Sequence, residues 1–207
     1  MLDARESLQR LREGNRRFVD DVSKVDGSFS VRRASLVDRQ APFAIVLGCS
    51  DSRVPAELVF DQGVGDLFVI RVAGNIVAPS QVGSVEFAAT RFKTRLVVVL
   101  GHSGCGAILA TLEELRQPAA SQSLNLRSIV ERVRPSVEPL LESPLARDET
   151  ALIHHAVRAN VRASANHLRH GSTILESLIA NEGLRVVGAE YSLETGEVDF
   201  FDGTSDS

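Results

Sequence analysis

Two short motifs constrain the fold of this 207-residue chain more than any other feature. Each follows an apolar run that contains β-branched residues, at 43–47 in one case and 96–100 in the other, and such runs are typical of buried parallel strands. The motifs themselves are GCSDSRVP, which begins at Gly48, and GHSGCG, which begins at Gly101. Because ligand chemistry in α/β proteins lies at the carboxyl ends of parallel strands, we expect the two motifs to meet there.

The side chains that would meet at this edge of the sheet are two thiols and one imidazole, those of Cys49, Cys105 and His102. All three are zinc ligands, and a catalytic zinc site keeps three protein ligands and leaves a fourth position for water. The chain has no third cysteine. The fourth position therefore goes to water, to a carboxylate such as that of Asp51, or to one of the other histidines.

Composition and charge exclude several classes of protein. The formal net charge of −4 and the lack of a basic stripe with aromatic residues argue against nucleic-acid binding. No apolar run approaches the ~20 residues of a membrane span, and the charged N-terminus does not resemble a secretory signal. We therefore expect a cytoplasmic protein, in which the two cysteines bind metal rather than form a disulfide.

Alternating apolar patterns predict an α/β fold with a mostly parallel central β-sheet, one antiparallel edge strand, flanking helices and an N-terminal helical arm. The predicted strands are 43–47, 66–72, 95–100, 184–191 and 198–201. The predicted helices are 3–20, 56–60, 83–92, 104–116, 148–169 and 173–181, with a helical turn at 35–39, a linker at 117–123, and a helical pattern at 124–141 that two prolines interrupt.

Cys-x-Asp-x-Arg followed by His-x-x-Cys, in the contexts CSDSRVPAE and GHSGCGA, resembles the β-class carbonic anhydrases. The resemblance extends from LQRLREGNRRF near the start, through DLFVIRVAGN, to the strand near Val186 and Tyr191. It implies one domain over 1–207, in which the arm at 1–40 packs on a partner subunit of a dimer or tetramer. From the residues alone, a surface helix on its own domain is the alternative for this arm.

The resemblance also implies the activity, which is reversible hydration of carbon dioxide to bicarbonate and a proton by a zinc-bound hydroxide. One Zn²⁺ per chain would be held by Cys49, His102 and Cys105. The alternatives are a hydrolase of a related small molecule such as carbon disulfide, and a zinc-binding homologue without activity. A flavodoxin-like nucleotide binder is disfavoured because no phosphate-binding glycine loop follows the first strand.

Asp51 and Arg53 are predicted to act as a catalytic pair. They are two residues apart in a segment that leaves a strand, so their side chains can lie on one side and form a two-pronged, charge-assisted hydrogen bond. A clamped carboxylate would accept a hydrogen bond from the hydroxide, whereas a free one could become the fourth zinc ligand in a closed state. A surface ion pair worth at most about 1 kcal/mol is the alternative.

The resemblance further assigns a substrate pocket to five residues, for which core packing, a loop or a turn is the alternative role: Gln40, Phe68, Ala73, Phe87 and Gly104. The family often has a larger aliphatic residue at the Ala73 position and a tyrosine at the Phe87 position. These two differences affect the predicted width of the pocket and one of its polar contacts.

The same resemblance favours an open site with bound water over the closed state. Gln40 is typical of the open class. Some members inhibit themselves through a second bicarbonate site built of a tryptophan, an arginine and a tyrosine, and the corresponding positions here are Val46, Arg71 and Tyr191. Because the chain has no tryptophan, that regulatory site is incomplete.

Overall fold

The computed structural model describes residues 2–24, 29–117 and 123–204. Their strands form one five-stranded sheet of order β2-β1-β3-β4-β5, in which the first four strands are parallel and β5 is antiparallel to β4. The strands are β1 Ala44–Gly48, β2 Leu67–Arg71, β3 Leu96–His102, β4 Arg185–Tyr191 and β5 Val198–Asp202. This sheet confirms the predicted fold class.

Eight α-helices flank the sheet in the described part of the chain: α1 Ala4–Val19, α2 Phe29–Ser35, α3 Ala56–Val59, α4 Pro79–Arg91, α5 Gly106–Arg116, α6 Leu124–Leu141, α7 Glu149–His170 and α8 Thr173–Glu182. Two short 3-10 turns, Ala73–Asn75 and Pro144–Arg147, complete the structure. Among the residues described, none of these helices has the length and apolar character that a membrane span requires.

Both faces of the sheet are covered, so β1 and β3 are buried at every position and carry continuous apolar runs rather than alternating ones. Side chains such as Val46 and Val98 pack toward α1 and α3 on one face. Their neighbours, including Ile45 and Val97, pack toward α4, α7 and α8 on the other. The sheet therefore forms the central layer of a three-layer structure. The two sequence motifs lie at the edge of the sheet that the carboxyl ends of its parallel strands form.

Helix α1 packs against the core of its own chain. Asp3 and Glu6 form a capping box at its start, as the predicted cap at Asp3 requires, and Leu8 and Leu11 are buried against the sheet. Asn15 donates to the carbonyls of Val59 and Gly196 at 3.1 and 2.8 Å, and its Oδ1 accepts from the Val198 amide. These contacts link the arm to α3 and to the turn before β5 in its own chain. Its packing on a partner subunit stays a prediction.

Beyond one or two terminal residues, the structure differs from three of the predicted helical segments. The helix after α1 is Phe29–Ser35 rather than a turn at 35–39. Helix α4 begins at Pro79 rather than at 83, because proline is well suited to the first helical position. Helix α6 continues through both of its prolines, since its buried face packs against neighbouring helices. Most of the predicted linker at 117–123 lies outside the described residues.

Close packing of α1 makes Gly14 sensitive to substitution. A Cβ at this position would lie 1.8 Å from the carbonyl oxygen of Phe60, whereas a Cβ at Gly83 in α4 would meet nothing within 4 Å. We expect Gly14→Ala to lower the free energy of unfolding by about 3 kcal/mol. Gly83→Ala should raise it by about 0.5 to 1 kcal/mol. Urea unfolding of both variants checks this, and an equal effect of the two would contradict the packing described.

Asp61 is a buried carboxylate that connects the segments following α1 and α3. Its oxygens accept hydrogen bonds from the Arg17 guanidinium, the Ser23 hydroxyl and the Lys24 amide. Burial raises the pKa of Asp61, but the hydrogen bonds from Ser23, Arg17 and Lys24 outweigh burial and hold the pKa below its usual value. The residue also has a positive φ of 45°, which asparagine tolerates.

The lowered pKa predicts a pH-dependent contribution of Asp61 to stability. This contribution is fully present above the unfolded-state pKa of about 4, and it is lost as the pH falls through the lower pKa of the folded state. At neutral pH, Asp61→Asn should therefore cost about 1 to 3 kcal/mol, and the cost should shrink in acid. Asp21→Asn is the control, because Asp21 has a positive φ but is exposed. A cost for Asp61→Asn that does not vary with pH would contradict the prediction.

Candidate metal centre

The ends of two neighbouring strands and the start of a helix bring three ligand-type side chains together. Cys49 directly follows β1, His102 ends β3, and Cys105 is the residue that caps α5. The two sulfurs and a histidine ring nitrogen lie within 4.8 Å of one another, and all three side chains are buried. The predicted meeting of the two motifs at the carboxyl edge of the sheet is therefore present in the structure.

The hydrogen bonds of His102 leave one ring nitrogen free to act as a ligand. Its Nδ1 lies 3.0 Å from the carbonyl oxygen of Ser103, and because a carbonyl can only accept, Nδ1 carries the proton. Its Nε2 is buried and has no hydrogen-bond partner among the described residues. A buried nitrogen lone pair without a partner is costly, and a metal ion would remove this cost.

The two cysteines also fit a metal ion better than a disulfide. Their sulfurs are 3.9 Å apart, far beyond the about 2.05 Å of an S–S bond. Sulfurs each about 2.3 Å from a tetrahedral zinc ion lie about 3.8 Å apart. Two thiolates and one neutral imidazole would balance the charge of a dication. The donor set, its spacing and its charge therefore all fit zinc.

The two thiols influence each other strongly. The hydrogen bond with Cys105 lowers the pKa of Cys49, although burial acts in the opposite direction. The same contact, together with burial, raises the pKa of Cys105. The thiols therefore titrate as a pair, and the second proton is the harder one to remove. A positive ion between the sulfurs would favour the loss of both protons.

Asp51 lies at the edge of the cluster and is held by Arg53. The guanidinium donates from Nε to Oδ1 at 2.9 Å and from Nη2 to Oδ2 at 2.7 Å, and the Arg53 amide also donates to Oδ1 at 3.0 Å. These bonds hold the pKa of Asp51 well below its usual range, so the carboxylate is ionised. Its Oδ2 lies 3.9 Å from His102 Nε2. The two-pronged contact predicted from the sequence is therefore present.

Three contacts that the sequence did not reveal support the loop that carries Cys49. Arg71, at the end of β2, donates to the carbonyl of Cys49 at 3.0 Å and to that of Asp51 at 2.6 Å. The Gly74 amide donates to Cys49 Sγ at 3.4 Å. From the sequence, Arg71 is assigned only to an incomplete regulatory site. The structure pairs β2 with β1 and so places Arg71 beside Gly48.

The predicted pocket residues divide into two groups. Ala73 begins the turn that contains Gly74, and Gly104 directly precedes Cys105 with a φ of +63°, so both lie beside the cluster. Phe68, in the middle of β2, packs against Phe87, which is 52 % exposed, and Gln40 is exposed before β1. In the described part of the chain, no hydrogen bond or ring contact joins these three to the cluster. Their role in a pocket stays a prediction.

Comparison with known proteins connects this site with a family. The carbonic anhydrase family model matches residues 44–198. A carbonic anhydrase of Mycolicibacterium smegmatis is 40 % identical over 189 residues, which cover 91 % of this chain and 89 % of that protein. The fold resembles the β-carbonic anhydrase CafA of Aspergillus fumigatus, with a TM-score of 0.75 and 23 % identity over 85 % of this chain and 83 % of that one.

A second solved structure has a higher identity. It comes from a study of two tetrameric β-carbonic anhydrases of Sordaria macrospora and gives a TM-score of 0.70 with 27 % identity. The match covers 82 % of this chain and 85 % of that chain. The residues matched by the family model include the strands that deliver Cys49 and His102.

The two bonds from Arg71 should keep the loop after β1 ordered. We expect Arg71→Gln, which removes the guanidinium fork, to increase hydrogen exchange at the amides of Arg53 and Val54 by about tenfold. Both amides now donate to Asp51, whose own carbonyl Arg71 holds. Hydrogen-exchange mass spectrometry measures this, with Arg91→Gln on the exposed end of α4 as the control. Equal protection in both variants would show that the loop is rigid without Arg71.

Proposed function

Because the chain belongs to the β-carbonic anhydrase family, we propose that it catalyses the reversible hydration of carbon dioxide to bicarbonate and a proton. The observation that carries this proposal is the buried group of Cys49, His102 and Cys105 beside a carboxylate that Arg53 holds ionised. A structural metal site would need a fourth protein ligand and would have no use for the clamped carboxylate.

We propose one Zn²⁺ per chain, held by Cys49 Sγ, Cys105 Sγ and His102 Nε2. The distance between the sulfurs and the unpartnered imidazole nitrogen support this assignment. Zinc in such a site supplies a Lewis acid that makes water nucleophilic at accessible pH. The protein itself supplies a dry, fixed donor set, since all three side chains are buried.

Asp51 would act as the group that orients the attacking water. It is ionised, so it can only accept hydrogen bonds, and its Oδ2 faces the cluster. Arg53 holds the carboxylate in one orientation through two side-chain bonds. Asp51 could become a fourth metal ligand only after these bonds break. The clamp therefore supports the open arrangement over the closed one.

We further propose that the chain associates as a dimer or a tetramer. The tetrameric proteins of Sordaria macrospora support this, as does the exposed ring of Phe87, which packs against Phe68 and Phe92 at the surface. A partner subunit would also explain why, among the described residues, no hydrogen bond or ring contact joins Gln40, Phe68 and Phe87 to the cluster of their own chain. The exposed Gln40 and Phe87 are available to the cluster of another copy.

The proposed reaction is tested by stopped-flow hydration of carbon dioxide on protein of measured zinc content. We expect one zinc per chain, turnover that rises toward alkaline pH, and a loss of about 100-fold or more in Asp51→Asn at unchanged zinc content. Asp66→Asn is a matched control, because both carboxylates are 17 % exposed and bound by arginine. It should retain full activity.

Other outcomes identify the alternatives. A folded, zinc-loaded protein without turnover would contradict the proposed reaction, and release of sulfide from carbon disulfide would then identify the hydrolase. Absence of both activities would indicate a zinc-binding homologue without catalysis. Equal activity in Asp51→Asn and Asp66→Asn would contradict the proposed role of Asp51 but not the proposed reaction.

A further inference from the structure

Two buried polar side chains on α7 contact the backbone next to the cluster. Asn160 Nδ2 donates to the carbonyl of Gly74 at 2.8 Å, and Ser164 Oγ donates to the carbonyl of Asn75 at 3.0 Å. The two residues are four positions apart, so they lie on one face of the helix. They are 2 % and 5 % exposed, in a part of α7 where Val157 is apolar and buried. Polar groups in such a position are expected to have a specific task.

The backbone that they contact has an unfavourable conformation. Gly74 has a φ of +70°, and Asn75, which is not a glycine, has a φ of +43°. A left-handed conformation is unfavourable for a residue other than glycine, although asparagine adopts it more readily than most residues do. Within the turn, the Asn75 amide donates to the Val72 carbonyl. The hydrogen bonds from α7 therefore stabilise a turn that would otherwise tend to relax.

This turn determines the surroundings of one sulfur. The Gly74 amide donates to Cys49 Sγ at 3.4 Å. Because Gly74 is held at a single φ and ψ, the direction of its N–H is coupled to that of its carbonyl, which Asn160 holds. A hydrogen bond to a thiolate withdraws electron density from the sulfur and fixes its position. A path of two hydrogen bonds thus leads from α7 to Cys49.

We propose that Asn160 and Ser164 are positioning residues for Cys49, and that they act through the turn formed by Ala73–Asn75. This inference rests on the proposed function, in which Cys49 is a metal ligand. It assigns to α7 the task of keeping the Gly74 amide directed at the sulfur. The alternative is that both side chains only attach α7 to the sheet, in which case their loss would change stability and nothing else.

The experiment compares three variants that each remove a buried hydrogen bond to a carbonyl. Asn160→Leu and Ser164→Ala remove the bonds to the turn. Thr94→Val is the matched control, because the buried Thr94 hydroxyl donates to the Pro42 carbonyl at 2.8 Å at the amino end of β3, away from the cluster. Each protein is loaded with Co²⁺ for absorption spectroscopy, and zinc affinity is measured by competition with a chromophoric chelator.

We expect all three variants to lower the unfolding temperature. Only Asn160→Leu and Ser164→Ala should move the sulfur-to-cobalt charge-transfer band to longer wavelength, because a thiolate without its hydrogen bond is the better electron donor. The same two variants should weaken zinc binding by about tenfold. Thr94→Val should leave both the band and the affinity unchanged.

An unchanged band and affinity in Ser164→Ala, or equal shifts in Thr94→Val, would overturn the inference. Ser164→Ala removes only one oxygen atom, so it decides the question if Asn160→Leu does not fold. Failure of the proposed function alone would be distinguishable, because the wild-type protein would then bind metal without hydrating carbon dioxide. A wild-type protein that binds no metal would overturn both.

Discussion

The parallel pairing of β1 with β3 is the constraint on which the rest of the structure depends. Its register places Gly48 beside Leu100, so that Cys49 and His102 leave the same edge of the sheet as close neighbours. The pairing is stable because both faces of these strands are buried, by α1 and α3 on one side and by α4, α7 and α8 on the other. A change of register by one residue would turn the side chains to opposite faces and separate the sulfur from the imidazole.

Cys49 and Asp51 lie on the loop after β1, and hydrogen bonds from neighbouring residues hold this loop in place. Arg71 binds the carbonyls of Cys49 and Asp51, Arg53 binds the Asp51 carboxylate, and Asn160 binds the turn that reaches the Cys49 sulfur. The contacts of Arg71 and Asn160 come from other elements, β2 and α7, whereas Arg53 lies on the same loop as Asp51. This arrangement limits the movement of ligands that would otherwise lie on mobile loops, and preorganisation of this kind is what metal binding and catalysis require.

The charges of the site also depend on neighbouring groups. The cluster contains two thiols that interact through a short contact, with an ionised carboxylate at its edge. Arg53 compensates the carboxylate, and the buried sulfurs are compensated only when a positive ion joins them. The buried Nε2 of His102, which has no hydrogen-bond partner among the described residues, leads to the same conclusion. Thus electrostatics and hydrogen bonding both favour a cation at this position.

The sequence by itself determined the features that depend on local pattern. Apolar runs predicted the five strands, the motifs that follow two of them predicted the cluster, and the two-residue spacing of Asp51 and Arg53 predicted their contact. Tertiary structure decided the approach of Gly14 to Phe60. Tertiary structure also decided the contacts of Arg71 and Asn160, the continuity of α6 and the packing of Phe87 on Phe68. The physical reason is that periodicity and short spacing act along the chain, whereas these contacts join residues that become neighbours only when the layers pack.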